Sequence, residues 1–193
     1  MLSVLVSLWP LLAVAHIEVG SAGDGGLLSG LRHPVSGLDH VVAMVAVGLW
    51  GAQLGAPAIW LLPISFPLVM ALGGLLGVIG VPLPQAELGI ALSGVCLGLV
   101  VALKVRPPLA LALVLVAVFA IFHGHSHGTA LPAFGLPLLY ATGFVVATGL
   151  LHLSGILIGS TNRWPGGELL IRVGGVVVAL VGAWFLMLQL PLA

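Results

Sequence analysis

Residues 107–124 read PPLALALVLVAVFAIFHG: two prolines, then an uninterrupted apolar run without a charged side chain, closing on His123 and Gly124. A helix needs roughly 20 mainly apolar residues to cross the hydrocarbon core of a bilayer, and this run is close to that length. Working outward, comparable stretches occupy about 34–54, 58–80, 86–103, 134–159 and 166–190. The breaks fall at Pro82 and Pro84, at Pro107 and Pro108, and at Pro165 with Gly166 and Gly167, residues that end or restart helices. Pro63 and Pro67 lie inside the second stretch and are expected to kink it. The pattern predicts an all-α integral membrane protein, a single domain over 16–193 built as a bundle of about six transmembrane helices.

Composition supports this and narrows function. Hydrophobic residues make up 61% of the chain and charged residues 5%, too few charges to cover a water-soluble surface. The net charge is zero with histidine neutral, which argues against a nucleic-acid partner. Cys96 is the single cysteine, so disulfides, thiolate zinc sites and iron–sulfur clusters are excluded. No prosthetic group is expected. The partners left are the lipid bilayer and a small ligand, with association into a homo-oligomer open.

Residues 1–15, MLSVLVSLWPLLAVA, are apolar, short for a span, and end in the small-x-small pattern Ala13-Val14-Ala15. They read as a cleaved signal peptide, although the segment begins without Lys or Arg. Cleavage there makes His16 the mature N-terminus. Lys104 and Arg106 fall in one inter-span loop and Arg163 in another, on the same side of a six-span bundle. The positive-inside rule makes that side cytoplasmic. The expectation is a multi-pass protein of the cell inner membrane with its mature N-terminus extracytoplasmic.

Five of the seven histidines fall in two short segments: His33 and His40 in HPVSGLDH, with Asp39, and His123, His125 and His127 in FHGHSHG. In the six-span topology both segments lie at the external face. On one continuous helix His33 and His40, seven apart, share a face; His123 and His127, four apart, stack, while His125 points elsewhere. Imidazole and carboxylate donors form a set suited to divalent nickel, copper, zinc or iron. His33, Asp39, His40, His123 and His127 are the candidate metal ligands, with His16, His125 and His152 as further candidates. His152 lies deep in the fifth span, where a hydrogen bond to Thr148 or Ser154 would satisfy it without any ligand role. Glu168 reads as an exit ligand or as a partner of Arg163 or Arg172, and Glu87, Met44 and Met70 as incidental or packing residues. Three functions fit the residues: a divalent-metal transporter, a membrane metalloenzyme using Asp39 as base, and a haem electron carrier with paired histidines. No catalytic residue is assigned, and no phosphate-binding glycine loop suggests ATP hydrolysis.

On these motifs the chain resembles the HupE/UreJ family of nickel permeases. The family carries His-Pro-x-x-Gly-x-Asp-His in its first mature helix, matched by residues 33–40, and His-Gly-x-Ala-His-Gly in its fourth, matched by His123 to Gly128 with Ser126 in place of Ala. The resemblance implies uptake of nickel, or sometimes cobalt, destined for hydrogenase or urease maturation. It also implies metal binding at His33, Asp39, His40, His123 and His127. Family members often carry Glu two residues beyond the second motif; here that position is Ala130.

Overall fold

The computed structural model describes residues 26–130 and 136–190. The leader expected over residues 1–15, and His16, lie outside them. Helices α1 (Leu27–Ser36), α2 (Leu38–Leu54), α3 (Ala58–Val78), α4 (Ala86–Ala102), α5 (Leu109–Thr129), α6 (Pro137–Gly159) and α7 (Gly167–Gln189) follow in order, and a 3₁₀ turn over Ser160–Arg163 extends α6. There is no strand among the described residues.

Four helical segments, Ala58–Val78, Leu109–Thr129, Pro137–Arg163 and Gly167–Gln189, are long and apolar enough to cross a membrane. The α1–α2 pair passes the same test jointly but is bent by 86°. Helix α4 has 17 residues, which at 1.5 Å per residue reaches about 26 Å, slightly short of a ~30 Å hydrocarbon core. The bundle is turned inside out relative to a soluble protein. Leu68, Leu150, Leu157, Leu169 and Leu180 stand exposed on its outer surface, whereas His123 and His152 are buried, in contact with the buried ring of Phe66. An outer shell of leucine and valine is stable only against lipid. The chain is a multi-pass membrane protein.

The first span differs from the sequence expectation. Residues 27–32, ahead of the first expected span, are helical, and Pro34 lies inside α1 rather than starting a span. The chain breaks at Gly37, whose extended backbone (φ −101°, ψ 116°) separates α1 from α2. Pro34 withholds one backbone donor, and the glycine after Ser36 offers no helix-favouring side chain, so the rod ends there. Elsewhere the boundaries agree within a few residues. Both Pro63 and Pro67 are accommodated within one helix, α3.

The helices associate as close pairs, more extensively within pairs than between them: α3 with α5, α4 with α7, and α6 with α1 and α2. Glycines permit this. A Cβ at Gly73 or Gly77 would strike the carbonyls of Ile121 or His125 on α5, and one at Gly124 or Gly128 would strike those of Met70 or Gly74 on α3. Gly94, Gly98, Gly175 and Gly182 bring α4 against α7 in the same way, and Gly48 and Gly155 bring α2 against α6.

The two ends of the bundle differ in chemistry. At one end lie Lys104, paired with Glu168 at 2.6 Å, and Arg172, whose Nε donates to the Ala102 carbonyl at 2.8 Å. Glu168 therefore pairs with Lys104 and not with the arginines expected from sequence. The N-terminus of α2 and the C-terminus of α5, which carry the histidines, form the opposite end.

Candidate metal centre

Histidine placement begins with the bend. His33 sits on α1 and His40 on α2, so they do not share a helical face; the 86° turn brings them to the same cavity instead. Gly37 makes room for this. A Cβ there would lie 2.8 Å from Asp39 Oδ1 and 3.0 Å from His40 Nδ1, both closer than ordinary packing allows. On α5, Gly124 and Gly128 press one face of the helix against α3, which leaves His123 and His127 facing α2.

Four imidazoles form a chain. The His123 and His40 ring centroids are 4.8 Å apart, those of His40 and His127 4.6 Å, and those of His127 and His33 4.7 Å. His33 Nε2 and His127 Nδ1 share a hydrogen bond of 2.8 Å. His125 faces elsewhere, with its Nε2 2.7 Å from the Val81 carbonyl. That contact ties the α3–α4 connection to α5 and takes His125 out of the cluster, as its spacing predicted.

Hydrogen bonding sets which nitrogens are basic. Asp39 Oδ1 accepts from the His40 backbone N–H at 2.9 Å and lies 2.8 Å from His40 Nδ1. A carboxylate can only accept, so Nδ1 carries the proton and Nε2 keeps its lone pair. Asp39 thus acts on the site through His40. At His123 the argument runs through a serine. Ser93 Oγ donates its single hydrogen to the Ile90 carbonyl at 2.6 Å, so toward His123 Nε2, 2.9 Å away, it is an acceptor. Nε2 must then be the N–H and Nδ1 the lone pair. His40 Nε2 and His123 Nδ1 are both buried without a hydrogen-bond partner. Two basic nitrogens on touching rings are therefore preset with nothing donating to them. Leaving such atoms buried and unmatched costs about 1–3 kcal/mol each.

The cluster opens into a cavity of about 460 Å³ whose wall includes His33, His40, His127, Glu87, Ser126 and Ala130. Glu87, in the first turn of α4, accepts a hydrogen bond from Ser126 Oγ at 2.7 Å. Sequence reading set Glu87 aside as incidental. The available signal was its position at the same end of the bundle as both histidine motifs. Ala130, where the family pattern often has glutamate, faces this same cavity. Among the described residues no three His, Cys, Asp or Glu side chains stand as a ready-made metal cage.

Deeper in the bundle, the Phe66 ring stands between His123 and His152, with centroid separations of 5.5 Å and 5.4 Å. The hydrogen bond expected for His152 is not made. Ser154 Oγ donates to the Leu151 carbonyl, and Thr148 Oγ1 and both ring nitrogens of His152 are buried without partners. Met44 and Met70 pack in the core, as their positions suggested.

A model of the family described as HupE / UreJ protein matches residues 4–185. Protein HupE of Rhizobium leguminosarum bv. viciae is 47% identical over 171 residues, covering 89% of each chain. No solved structure matches.

Proposed function

Because the chain belongs to the HupE/UreJ family, we propose that it carries a divalent transition-metal ion, nickel or cobalt, inward across the cytoplasmic membrane. The single observation behind this reading is the pair of preset lone pairs, His40 Nε2 and His123 Nδ1, buried on adjacent rings with no donor to meet them. A cation is the partner both nitrogens lack. His127 and His33 add imidazoles from the cavity wall, Asp39 fixes the His40 tautomer, and Glu87 contributes negative charge at the mouth.

Nickel and cobalt suit this mixture of imidazole nitrogen and carboxylate oxygen, whereas magnesium holds its water and prefers oxygen alone. Exchange of water for imidazole offsets part of the cost of dehydration before the ion enters low dielectric. The direction follows from charge: Lys104, Arg106 and Arg163 lie away from the histidine end, and the positive-inside rule assigns their end to the cytoplasm. The histidine cavity is then the extracytoplasmic mouth. Delivery to hydrogenase or urease maturation is what the family resemblance suggests for the cargo. The close edge-to-face contact of the His40 and His123 rings (85° between planes) speaks against a porphyrin between them. Asp39, already bonded to His40, is poorly placed to serve as a free catalytic base.

The test is metal-resolved uptake in cells lacking other nickel importers. His40→Ala and His123→Ala should each cut nickel accumulation while the protein still inserts in the membrane. Normal uptake by both variants defeats the proposal.

A further inference from the structure

The histidine cavity does not account for the polar atoms below Phe66. His152 is 2% exposed and Thr148 fully buried, one turn apart on the same face of α6. Three of their atoms, both imidazole nitrogens and the hydroxyl oxygen, have no hydrogen-bond partner. A third polar group comes from α3. Pro67 has no N–H, so it cannot donate to the carbonyl four residues earlier, that of Pro63. This carbonyl approaches the His152 ring without reaching hydrogen-bond geometry. Two helices thus bring an unmatched imidazole, an unmatched hydroxyl and a carbonyl released from the helical ladder to one depth in the apolar interior. Each would be expensive there if permanently idle.

The surroundings limit what the group can serve. A Cβ at Gly48 would collide with the His152 carbonyl and one at Gly155 with that of Val45, so α2 and α6 close the site on one flank. The ring of His152 instead meets Phe66, whose other contact is His123 of the outer cluster. On the far side of that phenylalanine His123 touches His40, whose ring reaches the cavity wall. An ion leaving the outer cluster inward would meet these atoms next.

We propose that His152, Thr148 and the Pro63 carbonyl form a second, interior transit site for a partly dehydrated divalent transition-metal ion. The inference rests on the transport reading and deepens it. One imidazole nitrogen selects a borderline metal over magnesium, and the neutral oxygens replace part of the lost water. The site has no carboxylate, so it holds the ion more weakly than the outer cluster and lets it pass on. A released backbone carbonyl serving a cation inside the membrane is a known use of irregular helix in transporters.

Cobalt(II) serves as the probe, bound to the purified protein in lipid nanodiscs and followed by its visible ligand-field absorption. The wild type should show an outer site and a weaker second one. His152→Phe keeps a ring of similar size without nitrogen. It should lose the second site, keep outer-site affinity, and lower the maximal uptake rate in proteoliposomes roughly tenfold with little change in KM, the signature of a later step. His152→Cys, which restores a metal-binding atom, should recover the second site. Should His152→Phe fail to insert, Thr148→Val replaces it, and weaker second-site binding is expected. A wild type without a second site, or either variant binding the second cobalt as wild type does, overturns the proposal. Failure of the transport reading looks different: vesicles that take up neither cobalt nor nickel while purified protein still fills both sites.

Discussion

Replacing Asp39 offers the sharpest test of how the outer site is built. Its Oδ1 holds His40 Nδ1 at 2.8 Å, and both side chains are 6% exposed. Asp39→Ala leaves a buried N–H without an acceptor, at about 1–3 kcal/mol. It also lets the imidazole place its proton on Nε2, where it can no longer ligate. Loss of such a carboxylate partner behind a metal-binding histidine typically weakens affinity 10–100-fold, which is about 1.4–2.8 kcal/mol. Asp39→Asn keeps an oxygen able to accept but removes the charge, so the lower end, about tenfold, is expected. Calorimetric titration of purified protein with nickel measures the affinity, and thermal unfolding of the same samples separates it from stability. Wild-type nickel affinity in a folded Asp39→Ala protein would refute the reasoning, because the Asp39–His40 contact would then have no bearing on the lone pair.

Three further outcomes follow from the geometry. Glu87→Gln keeps the shape and the contact with Ser126 but removes the charge at the mouth, so nickel uptake at low metal should fall with insertion unaffected; unchanged uptake would show the carboxylate to be structural. Gly124→Ala drives a methyl group into the Met70 carbonyl, which should lower thermal stability by about 1–3 kcal/mol and reduce uptake further by shifting His123 and His127; wild-type stability and uptake would mean the helix pair tolerates separation. In a Cys96→Ala background, a membrane-impermeant thiol reagent added outside should label Thr129→Cys and leave Trp164→Cys untouched; the reverse pattern would invert the topology and with it the direction of transport.

The architecture was largely legible because bilayer crossing imposes a coarse pattern: long apolar runs and proline-rich breaks. Convergence of the two histidine motifs was also legible, since the parity of the spans brings the start of one and the end of another to one side. The bend at Gly37 was not. A seven-residue spacing is equally consistent with one rod or two, and the choice depends on what Asp39 and His40 need from the space at Gly37. Glu87 and Ser93 escaped notice because their importance lies in what faces them across the bundle, Ser126 in one case and His123 in the other. The isolation of His152 was likewise invisible in the sequence, where Thr148 and Ser154 looked like ready partners. The structure gives Ser154 to a backbone carbonyl and leaves the imidazole alone.

The glycine contacts carry a mechanical consequence. Where backbones touch without intervening side chains, sliding meets carbonyl against Cα at once, so each close pair moves as one body. The bundle then reduces to three such bodies: α3–α5, α4–α7, and α6 with α1 and α2. Each supplies a different part of the histidine cluster and its surround: His123 and His127 from the first, Glu87 and Ser93 from the second, His33 and His40 from the third. Between the bodies the close glycine contacts are few, Gly51 of α2 against Ala58 and Ile59 of α3 and Gly89 of α4 against the Phe122 ring, so on the transport reading a small tilt of one body against the others is the motion that changes donor spacing at least cost.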